Sequence, residues 1–133
     1  MNPHSFHELL REYMQEKLPG ISARTPVRTG ELVTPYLLLS CSGEELLVPN
    51  NNTWECTLAV ELYTNAYDNP GADSRSIFSR VCSILSGKET RKALNERASD
   101  FYLYTLTLRN IEEPDTEDGV FVQRANFRVL LQF

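Results

Sequence analysis

Apolar residues in the first part of the chain recur at every third or fourth position, the spacing that places them on one face of a helix. The pattern covers SFHELLREYMQEKL, and a helix-ending Pro-Gly pair follows it. Ser5 and Glu8 have the spacing of a capping box, in which each side chain bonds the main-chain N–H of the other. We therefore predict a helix over residues 3–18, and then an extended arm or loop over 21–34 that contains one short strand.

After this arm the pattern changes to a period of two, which is typical of strands that bury one face. We predict strands within residues 35–66, with a turn at Ser42-Gly43 between PYLLLSCSG and EELLVPNNN. The clearest strand is TWECTLAVELYTNA, where large apolar side chains alternate with polar or small ones. Residues 101–133 are predicted to form a strand pair, FYLYTLTLRN and VFVQRANFRVLLQF, joined by an acidic loop. Both parities of the first strand in this pair carry apolar residues, and we favour the even set as buried: Tyr102, Tyr104, Leu106 and Leu108.

The stretch YDNPGADSRSIF lies between a strand and an apolar stripe of helical spacing, and it carries four oxygen donors: Asp68, Asn69, Asp73 and Ser74. A calcium loop beginning at Asp68 would need glycine at its sixth position and glutamate at its twelfth, where this chain has Asp73 and Ser79. A phosphate loop would need several glycines and a lysine. We therefore interpret the stretch as a connection, with a turn at its Pro-Gly pair and Asp73 or Ser74 capping a helix over 74–86.

Histidines and cysteines are the other candidates for chemistry. His4 and His7 lie next to Glu8, but no further soft metal ligand is near in the sequence, so we favour solvated histidines. The three cysteines lack metal-type spacing and are interpreted as free buried thiols: Cys41, Cys56 and Cys82. The chain also lacks the motifs of nucleophilic hydrolases, zinc peptidases and dinucleotide-binding folds. We therefore predict no enzymatic activity, no metal and no cofactor.

The predicted elements follow one another as helix, strands, helix and strands, which is the order of an α+β domain. Residues 88–97 add one short helical turn after the second helix. We predict a single domain over residues 1–133, with a mainly antiparallel or mixed sheet of about four long strands and two helices packed on one face. The other face of the long strands is polar, so it faces water, a channel or another subunit.

Charge and hydropathy make some classes of protein unfavourable. The chain has 133 residues and a formal net charge of −5, whereas a nucleic-acid-binding domain is usually strongly basic. No apolar run approaches the roughly 20 residues that cross a bilayer, and the first residues lack the apolar segment of a signal peptide. We therefore expect no membrane association and a protein that stays in the cytoplasm of the cell that makes it.

Two clusters of like charge stand in the second half of the chain. The basic cluster comprises Lys88, Arg91, Lys92 and Arg97. The acidic cluster comprises Glu112, Glu113, Asp115, Glu117 and Asp118. One interpretation is two solvated surfaces. The other is that the two clusters meet in a head-to-tail contact between copies, which closes into a ring when the rotation allows it. The charges would then steer and register assembly more than they stabilise it.

The order of these stretches resembles a known family. A short amphipathic helix precedes TPYLLLSCSGEE, then WECTLAVELYTNAYDNPGADSRSIFSRVCSILSG, and finally FYLYTLTLRNIEEPDTEDGVFVQRANFRVLLQF. This order resembles that of the tail-terminator and tail-completion proteins of long-tailed phages, prophages and related contractile particles. The resemblance covers about residues 3–133 and rests on element order, length and strand character, while residues 21–34 and 43–53 match nothing in the family.

The resemblance implies a virion protein that is made in the host cytoplasm and forms a homo-oligomeric ring, typically of about six copies. Such a ring sits on the head-proximal end of the tail tube, ends polymerisation of the tube protein and offers a docking surface to the head connector. DNA would pass through the ring without specific binding, and the family has no catalytic residues to transfer. The alternatives are another small neck or head–tail joining protein and a small-ligand binding domain that uses the chain's aromatic residues. An enzyme using Asp68, Asp73 and a metal is the least favoured.

Overall fold

The computed structural model describes residues 3–25, 35–65, 70–117 and 119–133. The helices are α1 (Pro3–Lys17), α2 (Pro70–Ser86) and α3 (Lys88–Arg97). The strands are β1 (Ser22–Arg24), β2 (Tyr36–Val48), β3 (Thr53–Asn65), β4 (Tyr102–Ile111), β5 (Asp115–Glu117) and β6 (Val120–Gln132). A 3-10 turn at Pro49–Asn51 joins β2 to β3.

The strands form one mixed sheet in the order β1-β2-β3-β6-β4, with β5 pairing with β6 beyond the end of β4. Only the β1–β2 pair is parallel among the described strands. The predicted α+β class is therefore confirmed. The predicted element count is wrong in detail, because the described residues form three helices and six strands rather than two helices and about four strands. Four of those strands are long, and the other two have three residues each.

The core lies between one face of this sheet and the three helices. Strands β3 and β6 supply alternate residues to it, as their period of two predicts, and the helices cover them with their apolar stripes. Phe6 of α1 and Phe101 just before β4 meet edge to face, with ring centroids 5.7 Å apart. Fully buried members include Leu10, Met14, Leu39, Leu58, Val60, Val81, Leu94, Leu103 and Phe127. No described helix packs on the opposite face.

Strand β2 is longer than predicted. Gly43 adopts φ 65°, and the register with β3 shifts between Ser42 and Glu45, so the chain makes a bulge and continues as a strand to Val48. A glycine in the left-handed region is the usual first residue of one class of bulge. The predicted turn at Ser42-Gly43 is therefore wrong. The sequence pattern is ambiguous because glycine is favoured both in turns and in this class of bulge.

The buried set predicted for β4 is also wrong in part. Leu103 is buried, whereas Tyr102 and Tyr104 are 52% and 40% exposed. The register with β6 shifts between Leu103 and Thr105, and after this bulge the parity changes, so that Leu106 is buried as predicted. Leu108 is exposed. A single extra residue thus moves the buried positions from odd to even numbers.

Helix α2 begins at Pro70, four residues before the predicted start, because proline is favoured in the first turn of a helix. The predicted Pro-Gly turn and the N-cap at Asp73 or Ser74 are therefore wrong, while Asp68 and Asn69 lie outside the described residues. Ser74 instead shares a buried hydrogen bond of 2.6 Å with Thr64 of β3.

Helix α1 begins at Pro3, so Ser5 and Glu8 lie within it and do not form the predicted capping box. Ser5 donates to Asp100 at 2.5 Å, and Glu8 bonds Arg11 and Thr25. Residues 88–97 form a ten-residue helix rather than one short turn. Thr90 and Leu94 are the buried residues of this helix, a short apolar set that a sequence pattern hardly shows.

Candidate interaction surfaces

Charged side chains form a ladder across the sheet face that no described helix covers. Glu55 of β3 accepts hydrogen bonds from Arg128 of β6 at 3.0 Å and from Arg109 of β4 at 3.2 Å. The bond from the Arg128 guanidinium, followed by Arg109, holds the pKa of Glu55 below its usual value. The ladder ties three neighbouring strands together while its side chains stay partly open to solvent.

A second polar group on this face involves Glu61. It accepts from Arg124 at 2.9 Å and from the Tyr63 hydroxyl at 2.9 Å. Partial burial and the Glu61 carboxylate raise the pKa of Tyr63 to about 12. The Tyr63 ring stacks on Tyr36, with centroids 4.4 Å apart and planes 12° from parallel. These contacts order the side chains of this face locally.

Strand β4 lies at one edge of the sheet, and α3 covers only its first residues. The Asn95 side chain accepts from the Leu103 N–H at 2.6 Å and donates to the Leu103 carbonyl at 3.0 Å. Arg91 donates to the Tyr104 carbonyl at 3.1 Å. Beyond this point, Thr107–Ile111 is exposed throughout, and the Ile111 side chain is 58% exposed. An uncovered strand edge with apolar residues is a site where another chain can pair or pack.

The structure separates the four residues of the basic cluster. Arg97 faces α1, where it donates to Glu16 at 2.8 Å and lies 5.3 Å from the centre of the Tyr13 ring. Lys88, Arg91 and Lys92 are exposed on the other side of α3, beside the start of β4. We call these three residues the α3 cations. With Asn95, Glu96 and Tyr102 they line an open groove of about 460 Å³.

The acidic cluster lies at the other end of β4. Glu112, Glu113 and Asp115 are exposed, while the Glu117 side chain and Asp118 lie outside the described residues. Glu112 accepts from Asn126 at 3.3 Å, and Asp115 accepts from the main-chain N–H of Thr116. Arg91 of the α3 cations bonds the Tyr104 carbonyl and the acids follow Ile111, so the two clusters of one chain are about 20 Å apart at the rise of a strand. Among the described residues of the two clusters, no ion pair joins one cluster to the other.

One exposed segment was not singled out from the sequence. Beyond the bulge at Gly43, every residue of Glu44–Val48 is exposed, and Leu46, Leu47 and Val48 are 39% to 43% exposed. We call Glu44–Val48 the β2 tip. The signal for this segment in the sequence is the run EELLVPNNN, whose apolar residues predict a returning strand. Three consecutive exposed apolar residues are unusual on a monomer surface and are typical of an interaction site.

The remaining candidates do not converge on a reactive site within the described part of the chain. The His7 ring, which was predicted to be solvated, is half-buried, and its Nε2 accepts the main-chain N–H of Cys41 at 2.9 Å. The His4 side chain lies outside the described residues. The three cysteines are free, and the Cys56 thiol together with burial raises the pKa of Cys41. Among the described residues no group of three or more histidine, cysteine or carboxylate side chains is placed to hold a metal.

A cleft of about 580 Å³ lies between the three helices and is lined in part by Tyr13, Lys17, Arg80 and Lys88. The aromatic residues of the ligand-pocket alternative do not line this cleft: Tyr36, Trp54, Tyr63, Tyr102, Tyr104 and Phe127. Phe127 is in the core, Tyr36 and Tyr63 lie on the opposite face, and Tyr102 and Tyr104 stand at the sheet edge. No helix in the described part of the chain is long and apolar enough to span a membrane.

Comparison with known proteins places the fold and nothing more. No protein-family model matches the chain, and no curated protein matches it significantly. Among solved structures, 29 chains match. One of them, whose name states no function, superposes with a TM-score of 0.63 over 96% of this chain and 91% of its own length, at 9% sequence identity. The fold is therefore one that other proteins have, and at this identity the likeness carries no function.

Proposed function

We propose that this chain is a structural subunit that assembles with copies of itself into a closed ring at the head-proximal end of a phage tail tube. The ring ends polymerisation of the tube protein and offers a docking surface to the head connector. The tail context comes from the family resemblance in the sequence. The self-assembly is supported by the surfaces of the fold.

The observation that carries the proposal is that two different surfaces are exposed toward opposite ends of the strand order of one sheet. The β4 edge is uncovered at Thr107–Ile111, and the β2 tip exposes three apolar residues at the other side. Unlike surfaces at opposite sides of a sheet can join head to tail, so that one surface of each copy lies against the other surface of the next copy. A head-to-tail contact repeated from copy to copy gives a ring if it closes and a filament if it does not.

Charge supports the same kind of contact. The α3 cations lie beside the start of β4, and the acidic cluster follows its end, so neighbouring copies can bring opposite charges together that one chain keeps apart. Exposed charge pairs contribute little stability on their own, typically about 0–1 kcal/mol each. Their role in the ring is to set register and exclude wrong partners. The α3 cations are the proposed basic side of this contact, together with Arg97, which also bonds Glu16 within the chain. The acidic cluster is one candidate for the acidic side.

The experiment is a capping assay with the tail tube protein produced from the same phage or prophage. Tube protein is polymerised with and without this chain, and tube lengths and ends are examined by electron microscopy. The proposal predicts shorter tubes with additional density at one end. Tubes of unchanged length with bare ends would refute a terminator. Binding to the connector protein without any effect on tubes would instead favour another head–tail joining protein.

A further inference from the structure

The β2 tip combines acidic and apolar residues on an open strand. Glu44 and Glu45 precede Leu46, Leu47 and Val48, and all five are exposed. Strand β1 pairs only with Tyr36–Leu38, so among the described residues the tip has a strand neighbour on its β3 side alone. A surface that fits this segment must offer cations next to an apolar side chain.

The groove beside α3 has this composition. Lys88 and Lys92 supply cations for which the described residues provide no hydrogen-bonding or ionic partner, and Tyr102 supplies a 52% exposed aromatic ring. The strand edge here is already used, because Asn95 binds the Leu103 main chain. An occupant therefore docks through its side chains rather than by adding a strand to β4.

The sheet register puts the tip and the groove at the same level. Val48 pairs with Thr53, Thr53 with Gln132, and Gln132 with Tyr102, so one row of residues crosses the sheet from the tip to the groove. Three strand spacings of about 4.8 Å separate the ends of this row, or about 14 Å. A copy placed beside the first one along this row brings its tip level with the groove. The acidic cluster lies farther along β4, near the row of Arg124, and is not level with it.

We propose that the β2 tip of one copy docks in the groove between α3 and the start of β4 of the next copy. Glu44 and Glu45 meet Lys88 and Lys92, and the apolar tip residues cover Tyr102. This inference rests on the proposed self-assembly, and it names the β2 tip rather than the acidic cluster as the partner of the α3 cations. The contact is head to tail, and each copy uses both halves of it.

Charge reversal tests the pairing. The double variant Glu44→Lys/Glu45→Lys and the double variant Lys88→Glu/Lys92→Glu are each expected to weaken self-association at least about tenfold, and the chain carrying all four changes is expected to recover it. Because all four residues are exposed, the variants should keep the far-UV circular dichroism and melting temperature of the wild type. The comparison variant Glu112→Lys/Glu113→Lys tests the acidic cluster as the alternative partner of the α3 cations, and it should associate like the wild type. Association is measured by sedimentation velocity at low and high salt.

The outcomes are distinct. Loss of association in the comparison variant Glu112→Lys/Glu113→Lys with retention in the tip variant would overturn the inference and make the acidic cluster the partner, while the proposed ring would stand. A wild type that stays monomeric at about 1 mM would also overturn it, since the docking needs no other protein. The capping assay would then decide the tail function separately. As a second measurement, mixed Glu45→Cys and Lys92→Cys chains should yield a disulfide-linked heterodimer on mild oxidation, and absence of this product would contradict the docking.

Discussion

Asn95 joins α3 to the open edge of the sheet, and replacing it with alanine tests that role. Its side chain makes two hydrogen bonds to the main chain of Leu103, a residue with no solvent exposure. In Asn95→Ala, both Leu103 groups lose their partner. A buried polar group left without a partner costs about 1–3 kcal/mol.

The free energy of unfolding should fall by less than the sum of the costs of two unpartnered buried groups. Asn95 is itself only half-buried, so water can reach part of the vacated space. Alanine is also the better helix former, which returns about 0.5 kcal/mol in a helix interior. We therefore expect Asn95→Ala to lower the free energy of unfolding by about 2 kcal/mol. The melting temperature should fall by about 6–8 °C in a domain of this size.

The assay is urea unfolding followed by circular dichroism, with hydrogen exchange at the Leu103 amide as a local readout. Glu96→Ala is the matched control, because Glu96 is exposed on the same helix and its change should stay within about 0.5 kcal/mol. Amide exchange at Leu103 should speed up in Asn95→Ala and not in the control. A loss below about 0.5 kcal/mol, with unchanged exchange, would refute the view that Asn95 fixes α3 to β4.

Three further predictions concern the core, a bulge and the ladder. Phe127→Ala should cost about 3–5 kcal/mol in urea unfolding because the ring is fully buried, whereas the exposed Tyr102→Ala should cost less than about 0.5 kcal/mol; similar costs would contradict the assigned faces. Gly43→Ala should cost about 1 kcal/mol through its φ of 65° alone, since nothing described lies within 4 Å of the added carbon; a neutral effect would argue against the bulge. Because the folded pKa of Glu55 lies below the value of 4.5 for the free side chain, its contribution is complete above that pH and is lost as the pH falls through the folded pKa. Wild-type stability should thus fall more steeply on acidification than that of Glu55→Gln, and parallel pH profiles would contradict the ladder.

Elements with a long regular pattern could be predicted from the sequence. The helix predicted over 3–18 is observed at Pro3–Lys17, since its apolar stripe spans four turns and a Pro-Gly pair follows. Burial alternates from Cys56 to Thr64 in β3 and from Gln123 to Leu131 in β6, in agreement with the period of two in their sequences. The α+β class follows from the order of these elements and did not depend on any side-chain contact.

The errors in the predicted strands arose at two kinds of position: where one extra residue changes the strand register, and where one residue type is favoured in two different local structures. The bulge after Leu103 moves the buried positions of β4 from odd to even numbers, and both parities carry apolar residues. Glycine at position 43 serves a bulge as well as a turn, so the sequence could not show that β2 continues.

The candidate site was harder to predict than the fold. Spacing along the chain grouped Arg97 with the α3 cations, yet the helix turns it toward Glu16. The exposure of the β2 tip depends on where β1 ends and where α1 packs. The sequence of the tip itself predicts neither of these. Its glutamates are therefore visible as interface candidates only in the folded chain.

The measurement that tests the central claim most directly is the absolute mass in solution, by light scattering on a sizing column across a wide concentration range. Self-assembly into a ring of about six copies predicts a species near 91 kDa, six times the 15.2 kDa of the chain. Its population should grow with concentration and shrink with salt. A single species of 15.2 kDa at every concentration would contradict self-assembly through the exposed surfaces of this sheet.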